Sequence, residues 1–399
     1  MVKVVRMKEG YRFLGEYIRQ VDIRNKEGKK ENLLGVSVQK QFIQSIANTV
    51  GTDFTKYKVV KKGQFTYIPD TSRRGDKIAI ALLEDYEEGL VSNVYTVFEV
   101  IDTEKLLPEY LMLWFSRPEF DRYARFKSHG SVREVMDWEE MCKVELPVPD
   151  IEKQRKIVKA YKTITDRIAL KQKINDNLAA QCSCIMYEQY CSDIKNGNPW
   201  IKYTVQELID KKFIDSPMDG NHGELHPKVS DYVATGIPFV MANNLSNGFV
   251  DLTQCAFITE KQAKTLRKGF ARPDDVLLTH KATLGRTAIV PKGYEYIILT
   301  PQVTYYRVHK GLSNVYLRYY FESSYFQSTL EAFAGGGSTR AYIGITKQCG
   351  LPIYLPCESS MTILTYTLSK IEQVRVLNQM EIHQLIDVRN TLITQLSSY

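Results

Sequence analysis

The same order of segments occurs twice in this chain, and that limits the fold more than any other feature of the sequence. Tyr110-Leu111, Phe115 and Phe120 match Tyr316-Leu317, Phe321 and Phe326, each 206 positions later. After one extra glycine the offset becomes 207, where residues 129–133 (HGSVR) face 336–340 (GGSTR) and Val148-Pro149 faces Leu355-Pro356. Upstream, 91–100 (VSNVYTVFEV) aligns with 299–308 (LTPQVTYYRV) at offset 208, and 61–67 (KKGQFTY) resembles 272–278 (RPDDVLL). Short apolar runs match often by chance, but they rarely keep their order. The chain therefore reads as an internal duplication.

Each copy ends in a long stretch without internal proline or glycine. From about 151 to 190, Ile157, Tyr161, Ile164, Ile168, Ile174, Leu178, Cys182 and Ile185 recur at threes and fours, with one break at Lys171. From about 358 to 396, Leu364, Leu368, Ile371, Ile382, Leu385, Leu392 and Leu396 lie on an alternating four-three grid whose vacant positions hold Arg375, Asn378 and Arg389. Such periodicity is helical, and polar residues inside an apolar seam are how paired helices fix register and partner. Two separate amphipathic helices lying on their own domains are the alternative. Fully helical, each segment would be on the order of 55 to 60 Å long, a rod able to hold two domains apart. The rest mixes strand-like runs (64–68, 91–100, 276–279 and 297–306) with short helical stretches such as 108–114, so each copy is predicted to be α+β. The expected division is 1–150, 151–192, 193–356 and 357–399.

At 399 residues the chain has room for at least two domains. Its formal charge of +7 is spread over both halves: 33 basic and 29 acidic residues precede the cut after Lys195, and 20 and 17 follow it. With 25 tyrosines this permits nucleic-acid binding on local patches without demanding it. No run approaches the 18 or so apolar residues of a membrane span, and the opening MVKVVR is too short and charged for a signal peptide, which points to the cytoplasm. Seven cysteines without a C-x-x-C pair suggest free thiols.

Catalytic motifs are sparse. Residues 333–337 (FAGGG) fit the F-x-G-x-G cofactor loop of DNA methyltransferases, but the partner motif N/D-P-P-aromatic is lacking, since 198–200 (NPW) has one proline. His222 and His226 are four apart, yet Gly223 and Pro227 argue for a loop and against a shared helical face for a metal. There is no G-x-x-x-x-G-K-[ST] phosphate loop and no G-x-S-x-G elbow. Weight shifts towards a binding or scaffolding protein, with no catalytic or metal-ligating residue assigned.

Polar binding residues cluster in loops instead. Arg19, Arg24, Asn25 and Lys26 follow a short apolar opening. Arg73 and Arg74 (71–75, TSRRG) sit directly after a strand, where the second copy carries Lys281, Thr283 and Arg286 (280–286, HKATLGR). The second copy adds Asn221 and His222 (219–223, DGNHG) and Asn243 and Asn244 (241–245, MANNL). Both copies have a Ser-x-Arg element, Ser131 with Arg133 and Ser338 with Arg340. Arginine and lysine can pair with guanine edges or phosphates, and amides and hydroxyls can serve bases or backbone. A glycine-flanked Ser/Arg loop could cradle a phosphate. A solvated surface loop would explain each of them equally well.

The stretch 219–291, with DGNHGELHPK, GIPFVMANNL and FITEKQAKTLRKGFARPDDVLLTHKATLGRTAIVP, resembles the target recognition domain of the specificity subunit of type I restriction-modification systems. Residues 146–157 (LPVPDIEKQRKI) are similar to that family's start of a long helix, a proline pair followed by E-x-Q-x-x-I. The second copy reads CESSMTIL after Leu355-Pro356 and departs from that pattern, and the first copy has no D-G-x-H-G string. The resemblance covers nearly the whole chain. It implies two recognition domains, 1–150 and 193–356, separated by two long antiparallel helices, 151–192 and 357–399. Each domain would contact one half of a split double-stranded DNA sequence, with the half-sites on the order of one helical turn apart. It further implies docking of two methyltransferase subunits and a restriction subunit, no catalysis and no membrane. S-adenosylmethionine and ATP would belong to the partner subunits, none being bound by this chain. The same fold serving a related defence or fused restriction system, and a helical scaffold that binds no DNA, are the other readings.

Overall fold

The computed structural model describes residues 10–45, 51–71, 75, 77–128, 134–335 and 341–398. The chain falls into two compact units, Met1–Leu170 with Glu381–Tyr399, and Lys171–Met380.

Both units are built on the same α+β plan, as the duplication predicts. The first holds an antiparallel sheet in which Ile18–Val21, Thr96–Val100, Phe65–Tyr67 and Ile80–Leu82 lie side by side. In the second the neighbours are Met218–Asp219, Val303–Tyr306, Val276–Lys281 and Thr283–Ile289. In chain order each sheet runs first, fourth, second, third. A helix pair follows in both, Pro108–Phe115 with Pro118–Lys127, and Asn314–Glu322 with Ser324–Phe333. The first copy starts these helices on prolines, whose fixed φ suits the first turn. The second starts them on Ser313 and Ser323, whose side chains accept from the amides of Tyr316 and Phe326. Each copy closes with a strand pair, Tyr11–Phe13 against Glu145–Pro147 and Ile201–Thr204 against Pro352–Leu355.

The matched aromatics of the sequence are the core of each unit. Phe98 meets Phe115 edge to face at 6.3 Å, and Phe115 meets Phe120 at 4.7 Å. Their counterparts repeat the arrangement, with Tyr306 and Phe321 at 5.0 Å and Phe321 and Phe326 at 4.6 Å. Tyr110 and Tyr316 donate their hydroxyls to the Pro147 and Tyr354 carbonyls. Ring pairs of this kind add about 0.5–1.5 kcal/mol each to the area they bury, which explains why these positions recur.

The long strand-like runs are each two strands. Residues 91–100 break at a turn closed by the Tyr95 amide on the Ser92 carbonyl, and 297–306 break where the Val303 amide meets the Thr300 carbonyl. Pro301 at that turn has no N–H for a ladder. The break lets the chain change sheets: Ile297–Leu299 joins a second, five-stranded sheet with one parallel pairing, Phe239 beside Ile298.

The two Pro- and Gly-free stretches are continuous helices, a central one at Ile151–Lys195 and a C-terminal one at Glu358–Gln395. Asp150 caps the first by accepting from the Lys153 amide at 2.9 Å. Within the first unit Ile157 and Leu396 join the sheet's core, the Tyr11 hydroxyl donates to the Ser397 carbonyl at 2.9 Å, and Arg167 pairs with Glu381. Within the second unit Cys182, Met186, Leu364 and Leu368 join the other core. There the polar breaks in the two apolar grids meet one another. Lys171 donates to the Asn378 amide oxygen at 2.8 Å, Asn378 donates to Asn175 at 3.0 Å, and Asn175 donates to the Arg375 carbonyl at 3.1 Å.

Candidate nucleic-acid interface

The second unit presents its polar residues on a hairpin. Val276–His280 are buried and apolar or hydroxylic except for the histidine, while Lys281, Ala282, Thr283 and Arg286 are exposed. The turn is as tight as the backbone permits: Lys281 pairs with Thr283 across Ala282, whose φ is +66°. An irregularity between Leu278 and His280 shifts the register just before the tip, as bulges do where a side chain must be re-aimed. The tip is pinned from the side by the Ala282 amide on the Ala341 carbonyl and the Ile343 amide on the His280 carbonyl, both at 3.0 Å. The first unit repeats these two bonds, Thr71 to Glu134 and Met136 to Pro69, also at 3.0 Å. The loops paired by position in the sequence thus leave equivalent anchors.

Around the hairpin the predicted residues divide sharply. Lys281 is exposed, with its ammonium 5.8 Å from the Tyr342 ring. Arg286 lies with one guanidinium nitrogen 3.5 Å from both the Ala242 and Leu245 carbonyls, beside exposed Asn243. His222 and Lys281 line one cleft of about 400 Å³ with His226, Tyr232, Thr300 and Gln302. These groups, with exposed Thr283, form a face of donors and acceptors able to meet base edges or phosphates.

Three asparagines, by contrast, are structural. Asn25 is 3% exposed; its amide donates to the Lys29 and Phe54 carbonyls and accepts from the Lys29 amide. Asn221, 4% exposed, donates to the Lys268 carbonyl and accepts from the Arg267 amide. Asn244, 2% exposed, accepts from the Met241 amide and donates to the Gln254 carbonyl. An amide matches backbone polarity on both sides, so it closes a loop from within. The three side-chain amides expected to bind DNA are occupied within their own loops in this structure.

The D-G-N-H-G string is largely a folding device. Asp219 is buried and paired with Lys268 and His222, the latter at 2.9 Å. Burial pushes its carboxyl up, but the hydrogen bonds from Lys268 and His222 outweigh this and hold it below the usual range. Gly220 has no room for a Cβ, which would fall 1.8 Å from the Leu299 carbonyl oxygen. His222 and Gly223 reach the surface, the histidine side chain half exposed. His280 is fully buried, its Nδ1–H donating to the Ile343 carbonyl at 2.9 Å, and burial pushes its pKa down.

In the first unit, Arg19 is spent on Glu99 (2.6 Å) and Arg24 on Asp22 and the Lys56 carbonyl, each at 3.0 Å. Lys26 is exposed on a broader cleft of about 600 Å³ where Arg24, Lys26, Lys29 and Lys61 face Asp22, Glu27, Glu31 and Glu88. That balance of charge gives no net attraction for phosphate. Arg73, Arg74, Ser131, Arg133, Ser338 and Arg340 lie outside the described residues, as does most of the FAGGG glycine run. Tyr342, Gln302 and Lys268 went unremarked in the sequence. Tyr342 could have been found by its place two residues beyond the Ser-x-Arg element.

All seven cysteines are free. Among the described residues no group of three or more His, Cys, Asp or Glu could hold a metal, and no helix is long and apolar enough to cross a membrane.

Residues 8–180 match the family described as the type I restriction modification DNA specificity domain. Over that stretch the chain is similar to a type I specificity domain. The match spans the described sheet of the first unit and the central helix as far as residue 180. A crystal structure of the type I restriction-modification S subunit from M. genitalium aligns over 100% of this chain and 98% of its own, at 11% identity and TM-score 0.55, so the two share a fold. The HsdS subunit from Thermoanaerobacter tengcongensis aligns over 99% and 98% at 17% identity and TM-score 0.36. A chain from a type I R-M system, studied for its complex assembly and conformational transition, aligns over 98% of both chains at 18% identity and TM-score 0.42. No curated protein matches in sequence. In this chain two copies of an α+β domain are combined with two long helices.

Proposed function

We propose that this chain is the subunit that chooses the DNA sequence for a cytoplasmic type I restriction-modification complex. Each copy of the domain reads one half of a two-part, double-stranded target. Two methyltransferase subunits and a restriction subunit assemble on it. The chemistry, with S-adenosylmethionine and ATP, belongs to those partners, and the chain itself is non-catalytic. The observation that carries this reading is the specificity domain at 8–180 followed by a second copy with the same strand order.

The exposed face of the second unit supports the DNA role: Lys281, Thr283 and Arg286 stand on a braced hairpin with Asn243 and His222 beside it. Arg73 and Arg74 are their counterparts in the first copy by position. A docking role is supported by the C-terminal helix. Ile363, Tyr366, Val374, Leu377 and Met380 are 48–69% exposed. At 100° per residue they lie opposite the seam of Leu364, Leu368, Arg375 and Asn378. An apolar stripe of that kind on a helix is a surface for a protein partner.

The test is to co-express the chain with its methyltransferase subunits in a host free of DNA methylation and to map modified bases by single-molecule sequencing. A two-part motif with a fixed spacer is expected. Modified bases with no such motif, from an assembled and active complex, would overturn the reading.

A further inference from the structure

We propose that Arg375 is a positioning residue which, through a buried ionic chain, holds the second copy's reading hairpin at one fixed orientation on the long helices. The proposal rests on the DNA-reading role above and adds how its second half is aimed.

The chain of contacts is continuous and lies wholly within the second unit. Thr287, on the hairpin strand that carries Thr283 and Arg286, donates its hydroxyl to Glu322 at 2.6 Å. Arg318 donates to Glu322 at 2.8 Å and to Glu372 of the C-terminal helix at 3.1 Å. Arg375 donates to the same Glu372 oxygen at 2.7 Å, to the Tyr319 hydroxyl at 3.0 Å, and to the Asn175 carbonyl of the central helix at 3.2 Å. Its remaining nitrogen donates to the Asn247 carbonyl at 2.7 Å, and its guanidinium lies 4.9 Å from the Phe249 ring.

Asn247 lies in the turn between the strands Leu245–Ser246 and Phe249–Val250, and Phe249 opens the second of them. That small hairpin packs on the reading hairpin: Leu245 and Val250 share a core with Ala288, and Gly248 bridges to Ala288. Gly248, at φ +84°, sits so close that a Cβ would fall 2.1 Å from Arg318 Nη1. Two routes therefore join the long helices to the reading hairpin, one through Glu322 and one through the 247–249 turn. Arg375 carries the second and bonds the same Glu372 oxygen on which the first ends.

Comparison with the first copy shows what the network is not for. The positions that correspond to Arg318, Glu372 and Arg375, at offsets of 206, 207 and 207, are Met112, Thr165 and Ile168. At these three positions a domain of this plan thus docks on its helix without charge. Buried ion networks are seldom the most stable solution, but they accept few geometries. A guanidinium that must meet a carboxylate, a hydroxyl and two carbonyls on four segments tolerates little rotation of one segment against another.

The test replaces the network by the first copy's solution, in the triple variant Arg318→Met, Glu372→Thr, Arg375→Ile of the full chain, assembled with its methyltransferase subunits. Two measurements are made: the methylation motif, and hydrogen exchange of residues 276–289. The expected result is a first half-site read as strictly as before and a second half-site, or spacer, at least tenfold less discriminating, with faster exchange in the hairpin. A loss of methylation rate with both half-sites and the spacer unchanged shows a merely structural network and overturns the proposal. If the wild-type complex itself yields no two-part motif, the DNA-reading role has failed; the exchange data then decide the mechanical claim, and unchanged protection sinks it. If the triple variant does not fold, Arg375→Lys, which keeps the charge but cannot serve all four acceptors, is put through the same two measurements with the same outcomes.

Discussion

The two copies solve one problem, seating a domain on a helix, by opposite chemistry. In the first, the central helix enters through Gln154, fully buried, which donates to the Lys105 and Pro149 carbonyls and accepts from the Leu107 amide at 2.8–2.9 Å. In the second, the corresponding residue is Met361, buried among apolar neighbours. One helical turn later the copies agree, with Ile157 and Leu364 in their cores. Further along they trade roles, since Ile168 is apolar where Arg375 anchors an ionic chain. Duplication therefore preserves the fold through its core aromatics and leaves the choice of polar or apolar fixing free at each docking site. The E-x-Q-x-x-I pattern is one such choice, and its absence from the second copy leaves the docking intact.

The largest break in this comparison should come from Glu372→Leu, which strands two buried guanidiniums. We expect a loss of about 3–5 kcal/mol, read by urea unfolding of the full chain and confined to the second unit. Thr165→Leu at the matching position of the first should stay within about 0.5 kcal/mol.

Exchanging the helix starts is next. Gln154→Met leaves two carbonyls and an amide without partners, at a cost of about 1–3 kcal/mol in the first unit. The reverse change, Met361→Gln, buries an amide among apolar side chains and should cost a similar amount in the second. A neutral outcome for both would mean that the two docking chemistries are interchangeable.

A smaller effect is expected at the reading loops. Lys281→Ala should relax or weaken the second half-site by about 1–2 kcal/mol, and Arg73→Ala with Arg74→Ala should act on the first alone. Methylation maps of each variant would show the separation. Equal effects at both half-sites would show that the loops are not assigned one per half-site.

The smallest difference is in pH dependence. His280 occupies the place of Pro69, which does not titrate. Burial pushes the His280 pKa below its ordinary 6.5, so the unfolded chain takes up the proton first as pH falls. The second unit's stability should be full above about pH 6.5 and decline shallowly below it. His280→Phe should flatten that decline, and a decline equal in wild type and variant would assign it to other groups.

Much of this architecture was legible because it repeats. The aromatic positions and the strand order follow from matched segments, and Lys171, Arg375 and Asn378 declared themselves by interrupting otherwise regular grids. What those grids could not give was the partners. Asn247 lies 128 positions from Arg375 and Asn175 lies 200 positions away. Nothing local in the sequence joins them. Asn25, Asn221 and Asn244 misled for a related reason. A loop asparagine has the same chemistry for a base edge as for its own backbone, and only burial distinguishes the two. The continuous strands expected over 91–100 and 297–306 failed at the Ser92 and Pro301 turns, where apolar content on both sides concealed a change of sheet.

The placement of Leu396 has a consequence for biogenesis. It belongs to the first unit's core, beside Leu146 and Ile157, and Ser397 receives the Tyr11 hydroxyl. Residues 171–380, the whole second unit, are translated in between. At about 5–20 residues per second, the ribosome would take roughly 10 to 45 s to travel from Leu170 to Leu396. During that interval the earlier-made unit lacks its last core residue, so the half of the molecule that is synthesised first is completed only when translation has ended.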